Sequence, residues 1–259
     1  MSVSENDHRL AARLAAAAGE LLVSTRTDLE RRGAPYWEVG DTGDVTAHRY
    51  LVQALAEARP HDVVLSEEGR DDRKRLSAER VWIVDPLDGT NEYSDGRSDW
   101  AVHVALWERG ALTAAAVALP SIGRTFATEP LPPVALPRKD APPRVIVSRT
   151  RATNAAVIIA NNLDAEIVRL GSAGVKAMAV LMGEADIYAH SGGMYEWDTA
   201  APVAVATAAG LHVSRIDGSP LVYNKADAWS PDLLICRPEF AGPALEALWG
   251  DRRGYVPEL

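Results

Sequence analysis

Cysteine is almost missing from this chain: Cys236 is the only one among 259 residues. An internal disulfide framework is therefore excluded, and a reducing compartment is expected. An excess of basic charge is missing too. Lys and Arg number 27 against 36 Asp and Glu, a formal net charge of −9. No basic block stands out, so nucleic acid is not an expected partner. No apolar run approaches membrane-spanning length. The opening string "MSVSENDHRL" lacks the charged-then-apolar pattern of a secretory leader. Internal repeats and low-complexity tracts are absent. The expectation is a cytoplasmic globular protein with neither nucleic acid nor membrane as partner.

What is present is apolar content, 47% of residues, enough for a large core in one domain or two tightly packed lobes. Leu10, Leu14, Ala17 and Leu21 recur at helical spacing and predict a first amphipathic helix. Leu51, Ala54, Leu55 and Ala58 predict a second, stopped by Pro60. "DVVLSEE" and "RVWIVD" read as strands running into acids, and "AVHVALWERGALTAAAVALP" as a hairpin turning at Glu108-Arg109-Gly110. "RTFATE" adds a further strand. Six prolines between Glu129 and Arg144 predict an irregular crossing between halves. Beyond it, strand "RVIVS", a helix from Thr153, strand "EIVRL", helix "SAGVKAMAVLMG", strand "ADIYAH" and helix "EWDTAAPVAVATAAG" alternate, with Gly210 as the last stop. No element is assigned after Gly210. Mixed helices and strands in both halves predict layered α and β packing. We read one domain, 1–259, with an N-terminal lobe 1–140 and a C-terminal lobe 141–259.

The stretch "RVWIVDPLDGTNEY" carries the chemistry. A buried strand ends in Asp85, and Asp88 follows in a turn whose Pro86 fixes one backbone angle. Glu67 and Glu68 end the preceding strand, and Asp198 opens a later helix. If the two strands are neighbours, Glu67, Asp85 and Asp88 converge and repel one another. Oxygen ligands without His or Cys suit Mg²⁺. Removing the Asp88 charge is expected to relieve that repulsion. Gly89 permits close backbone approach, and Thr90 follows at a helix start able to face an anion. D-P-x-D-G is also an ordinary turn signal, "EEGRDDRKR" an ordinary solvated loop, and Asp198 an ordinary helix cap. His48 and His103 read as a partly exposed helix residue and a packed strand residue.

Taken together, "DPLDGT" with upstream "EE" and downstream "WDTAAP" resembles the inositol monophosphatase-like superfamily of Mg²⁺-dependent, lithium-sensitive phosphatases. "GSAGVK" and the residues Asn91-Glu92-Tyr93 look most like its CysQ-type branch, in an actinobacterial form. The resemblance implies an αβαβα layered sandwich. It implies two Mg²⁺ ions: Glu67, Asp85 and the Leu87 carbonyl at the first, and Asp85, Asp88 and Asp198 at the second. Thr90 is implied to orient the water. Substrate contacts carried over are Gly89, Thr90, Ser148 and Arg151 of "SRTR", and Ser172 and Lys176 of "GSAGVK". Arg151 replaces the family histidine. Arg49 stands where many members carry an Asp that supports the threonine and a third ion; Asp44 is the expected substitute, with Asp41 the other candidate. The implied reaction removes the 3′-phosphate of 3′-phosphoadenosine 5′-phosphate in sulfate assimilation. Inositol 1-phosphate or fructose 1,6-bisphosphate hydrolysis is the alternative, and a non-catalytic regulator on the same fold is the second. A homodimer is left open.

Overall fold

The computed structural model describes residues 5–71, 73–136, 138 and 141–250. Two long helices come first, α1 (Asp7–Arg31) and α2 (Tyr36–Ala58). Five strands follow: β1 (Val63–Ser66), β2 (Arg80–Asp88), β3 (Ala101–Glu108), β4 (Ala111–Leu119) and β5 (Arg124–Ala127), with the short α3 (Thr90–Ser94) after β2. They form one sheet in simple chain order, with β1 parallel to β2 and the rest antiparallel. The hairpin turns at Arg109 and Gly110, both with positive φ as a tight two-residue turn requires.

The second sheet is built from β6 (Arg144–Ser148), β7 (Glu166–Leu170), β8 (Ile187–Tyr195), β9 (His212–Ser214) and β10 (Trp229–Cys236), in the order β7-β6-β8-β10-β9. Its helices are α4 (Asn154–Asn162), α5 (Ala173–Leu181), α6 (Glu196–Ala208) and α7 (Ala241–Gly250). Three apolar cores lie between five layers. One joins α1 and α2 to the first sheet, through Leu10, Leu14, Leu51 and Trp82. The largest joins both sheets through α5 and α6, with Ile83, Met178, Ala201 and Leu233. The third joins the second sheet to α4 and α7, with Val145, Ile159 and Leu248. This is the expected αβαβα order. The segment between β5 and β6 has no regular element among its described residues and is pinned midway, where Ala135 donates to Leu181 and accepts from Arg237.

Four local expectations change. The buried stripe of α1 runs through Leu10, Leu14, Ala18 and Leu22, whereas Ala17 and Leu21 are half-buried, because 3.6-residue spacing drifts off the assumed face. Helix α2 begins 15 residues before Leu51, at Tyr36, and includes Gly40 and Gly43. Both glycines are contact points: a Cβ would lie 2.6 Å from Ser94 Oγ at Gly40 and 2.7 Å from the Tyr93 ring at Gly43. The turn expected at Asp85–Asp88 is a bulged continuation of β2, since Asp85 pairs with His103 and Asp88 with Ala101. The charged loop after Glu68 is not merely solvated. Arg75 is fully buried, grips Asp71 through two nitrogens, and reaches Asn224 and Lys225 on the far side of the fold.

Candidate active site

The pairing of β1 with β2 sets Ser66 beside Val84, so both strands release their acids at one edge. The Glu67 amide donates to the Val84 carbonyl at 3.4 Å. Asp85 is buried, and its Oδ1 accepts the Leu87 amide at 3.0 Å. Burial, then the charges of Asp88, Glu67 and Asp198, push its carboxyl well above the usual range. Glu67 is exposed as a residue, yet the surrounding protein and the charges of Asp198, Asp88 and Glu68 raise its pKa to about 7. Asp198 lies in the first turn of α6, where its Oδ2 accepts the Tyr195 amide at 2.6 Å. It is therefore also a helix cap. Burial and Asp88 raise its pKa to about 6.

Asp88 behaves oppositely. Its Oδ2 accepts the Ser172 hydroxyl at 2.5 Å and the Gly174 amide at 2.7 Å, both at the start of α5. His103 Nε2 stands 3.2 Å from the same oxygen, too poorly aligned for a hydrogen bond but close enough for an ion pair when protonated. Burial opposes the charge on Asp88, but His103, Lys176 and Ser172 outweigh it, and the carboxyl is held well below the usual range. The expected relief on removing this charge is therefore corrected: Asp88 is the satisfied acid, and Asp85 the crowded one.

Thr90 follows Gly89, whose φ of 98° strains any side chain, with the Asp99 carbonyl and Trp100 Cα a tight 3.3 Å from an added Cβ. The Thr90 hydroxyl lies 3.2 Å from the Leu87 carbonyl and 3.5 Å from Asp44 Oδ1. Asp44 thus stands beside Thr90 while Arg49 is exposed on the same helix and Asp41 is exposed one turn earlier. Burial, then Glu68 and Glu67, raise Asp44 to about 7.

The basic and hydroxyl candidates separate. Ser172 joins Asp88, as above. Ser148 is half-buried at the end of β6, and Arg151 is exposed in the following loop. Lys176 is only 4% exposed; its Nζ donates to the Ser172 carbonyl at 2.6 Å and lies over the Tyr188 ring. Burial lowers its pKa, with Asp88 pulling the other way. This lysine props the loop from beneath.

Three residues beyond the sequence-derived set shape the cleft. His103 is wholly buried; its Nδ1 is 3.1 Å from the Trp197 carbonyl, so one imidazole spans from Asp88 to the residue before Asp198. Gly174 makes room for it, since a Cβ there would fall 2.1 Å from Nε2. Asp99 accepts from the Gly171 amide at 2.6 Å, from Arg149 and from Arg97, and these donors keep its carboxyl below the usual range against the effect of burial. A lone histidine inside an apolar strand was the only sequence signal for His103. Asp99 gave none, and Arg149 stood unassigned inside the "SRTR" string.

The donor set fits a hard divalent cation by its chemistry: four carboxylates and a nearby carbonyl, with three of the acids pushed toward protonation by burial and then by one another's charge. Among the described residues no three His, Cys, Asp or Glu side chains are already drawn into a shape that holds an ion. Asp88 is turned to its donors, Ser172 and the Gly174 amide.

The sequence profile of the inositol monophosphatase family matches residues 5–232. A 3′-phosphoadenosine 5′-phosphate phosphatase of Mycobacterium leprae is 48% identical over 250 residues, covering 91% of this chain and 90% of that protein. The 3′(2′),5′-bisphosphate nucleotidase CysQ of Escherichia coli is 32% identical over 197 residues, 72% of this chain and 80% of its own length. The crystal structure of CysQ from Bacteroides thetaiotaomicron superposes with a TM-score of 0.79 at 26% identity, over 89% of this chain and 97% of that one.

Proposed function

This chain belongs to the inositol monophosphatase family, and from that premise we propose that it hydrolyses 3′-phosphoadenosine 5′-phosphate to AMP and phosphate. The observation that carries the metal chemistry is the convergence of Glu67, Asp85 and Asp198 at one edge, where burial, and then the charges of neighbouring carboxylates, raise all three pKa values. The substrate choice is supported by the names of the relatives that share about half of its residues. A role in clearing a by-product of sulfate assimilation, inside the cytoplasm, follows from the same reading.

Glu67, Asp85, Asp88 and Asp198, with the Leu87 carbonyl, are the residues we assign to two Mg²⁺ ions, which when bound acidify water and neutralise phosphate charge. The remaining work belongs to the chain. Thr90 holds the attacking water by its hydroxyl, whose second neighbour is Asp44. With a pKa of about 7, Asp44 is placed to take a proton relayed through Thr90. Gly89 lets the backbone approach the phosphate closely. Ser172 and the Gly174 amide fix Asp88, so its other oxygen keeps one orientation. Ser148 ends β6 and Arg151 lies in the loop after it, on the C-terminal side of the cleft, where an exposed guanidinium can hold the second phosphate.

Phosphate release from 3′-phosphoadenosine 5′-phosphate, inositol 1-phosphate and fructose 1,6-bisphosphate, with Mg²⁺ and with chelator, tests this reading. The nucleotide should show the highest kcat/KM, and chelator should abolish turnover of all three. A higher kcat/KM on inositol 1-phosphate would overturn the substrate; turnover in chelator would overturn the metal assignment.

A further inference from the structure

Two large aromatic rings stand exposed beside the acids, and neither belongs to the machinery above. Tyr195 is the last residue of β8 and Trp229 the first of β10, and the two are directly opposed in the antiparallel pairing. Opposed residues send their side chains from the same face of a sheet. Tyr195 is 48% and Trp229 43% exposed. Large apolar groups left open beside a polar cleft mark places where something binds.

Both rings are held rather than loose. The Tyr195 ring lies flat on Trp197, with centroids 4.6 Å apart and planes 9° from parallel. The Trp229 indole lies across Gly193, where an added Cβ would come 2.4 Å from Nε1. Gly192 and Gly193 both have positive φ, so the strand beside the rings is bare backbone. The Trp229 amide donates to Asp227, its carbonyl accepts from Lys225, and the neighbouring Ala228 carbonyl accepts the Glu196 amide at the start of α6. Each ring is thus packed on one side and still about half exposed.

The position is as informative as the exposure. The Tyr195 amide binds the Asp198 carboxylate, so the platform begins at a residue we assign to the metals. A phosphate held there, on C3′ of a ribose, leaves the base one sugar away. We propose that Tyr195 and Trp229 form the platform on which the purine of the nucleotide stacks, and that they set the preference for nucleotides over base-free phosphate esters. This rests on the nucleotide reading above. The flat π-faces accept any purine, so selection acts on the presence of a base rather than on its edge groups.

The test compares kcat/KM for 3′-phosphoadenosine 5′-phosphate and for glycerol phosphate, which has no base, in wild type, Trp229→Ala, Tyr195→Ala and Tyr195→Phe. Each alanine variant should lower the nucleotide-to-glycerol-phosphate ratio about ten- to a hundredfold, chiefly through the nucleotide KM. Tyr195→Phe, which keeps the ring, should restore most of the ratio. Equal losses on both substrates would overturn the platform and make these rings supports for Asp198. An unchanged ratio together with a changed oligomeric state would overturn it in favour of a contact between copies of the chain. A wild type that turns over only glycerol phosphate would sink the nucleotide reading itself, whereas a wild type active on nucleotide with an unchanged ratio in the variants sinks the platform alone.

Discussion

The cleft has two walls of opposite electrical character. At the strand exits, Glu67, Asp85 and Asp44 crowd together with few donors, and their pKa values rise. At the helix starts, Asp88 and Asp99 collect amides, a hydroxyl, guanidinium groups and an imidazole, and their pKa values fall. Asp85 and Asp88 are three residues apart on one strand and both buried, so neither burial class nor sequence position separates them. Their donors do. The start of α5 reaches across to Asp88 and never to Asp85. One wall leaves its charge poorly balanced, and the other ties the first sheet to the residues around the start of α5 and to Arg149.

The sharpest test of this contrast is a pair of neutralising substitutions. Asp85→Asn and Asp88→Asn should each lower phosphate release about a thousandfold, the loss of a fixed charge that acts on the transition state. Their metal-free melting temperatures should move in opposite directions. Asp85→Asn removes a repelled charge and raises Tm. Asp88→Asn loses charge-assisted bonds worth about 1.5–3 kcal/mol, lowering Tm by about 5–10 °C. Calorimetry on both proteins in chelator reads the sign directly, and shifts of the same sign would erase the distinction between the walls.

Lys176→Ala should act next most strongly. Because the ammonium props the Ser172 carbonyl rather than opening to the cleft, nucleotide and inositol 1-phosphate should lose kcat/KM alike, by about tenfold. A loss confined to the nucleotide would place Lys176 in contact with substrate after all. The smallest effect is on stability against pH. Asp44 and Glu67 are raised to about 7 and Asp198 to about 6. The unfolded chain gives up these protons first, so metal-free stability should fall as pH rises from about 4 to about 7, by several degrees in Tm. Saturating Mg²⁺ should flatten that slope. A metal-free Tm that climbs across the same window would mean the acids are not crowded.

Much of the layer order was legible, because strand periods run in succession through the first sheet and strands and helices alternate from Arg144 to Gly210. What escaped depended on distant partners. Gly40 and Gly43 look like helix breakers, and only the nearness of Ser94 and Tyr93, some fifty residues on, explains why α2 carries them. Strand β10 hides behind Pro231, which sits at the bulge between Ser230 and Asp232. The acids of the site were legible as residue types at strand ends. Their opposite pKa shifts were not, since the donors of Asp88 lie more than eighty residues away, at Ser172 and Gly174. Lys176 illustrates the same limit: its spacing marks a helix start, but its burial depends on Tyr188 from another strand.

The proline-rich strap between β5 and β6 has a further consequence. It joins the two sheets, yet its described residues add no strand to either, and the bonds that complete the cleft, Asp88 to Ser172 and Asp99 to Gly171 and Arg149, all cross between segments on its two sides. Continuity of the covalent chain is thus separable from continuity of the site. Two fragments, one ending and one beginning within the strap, should each be inactive alone and should regain turnover on mixing. Split in this way, the enzyme becomes a complementation reporter, in which phosphate release counts reunited halves.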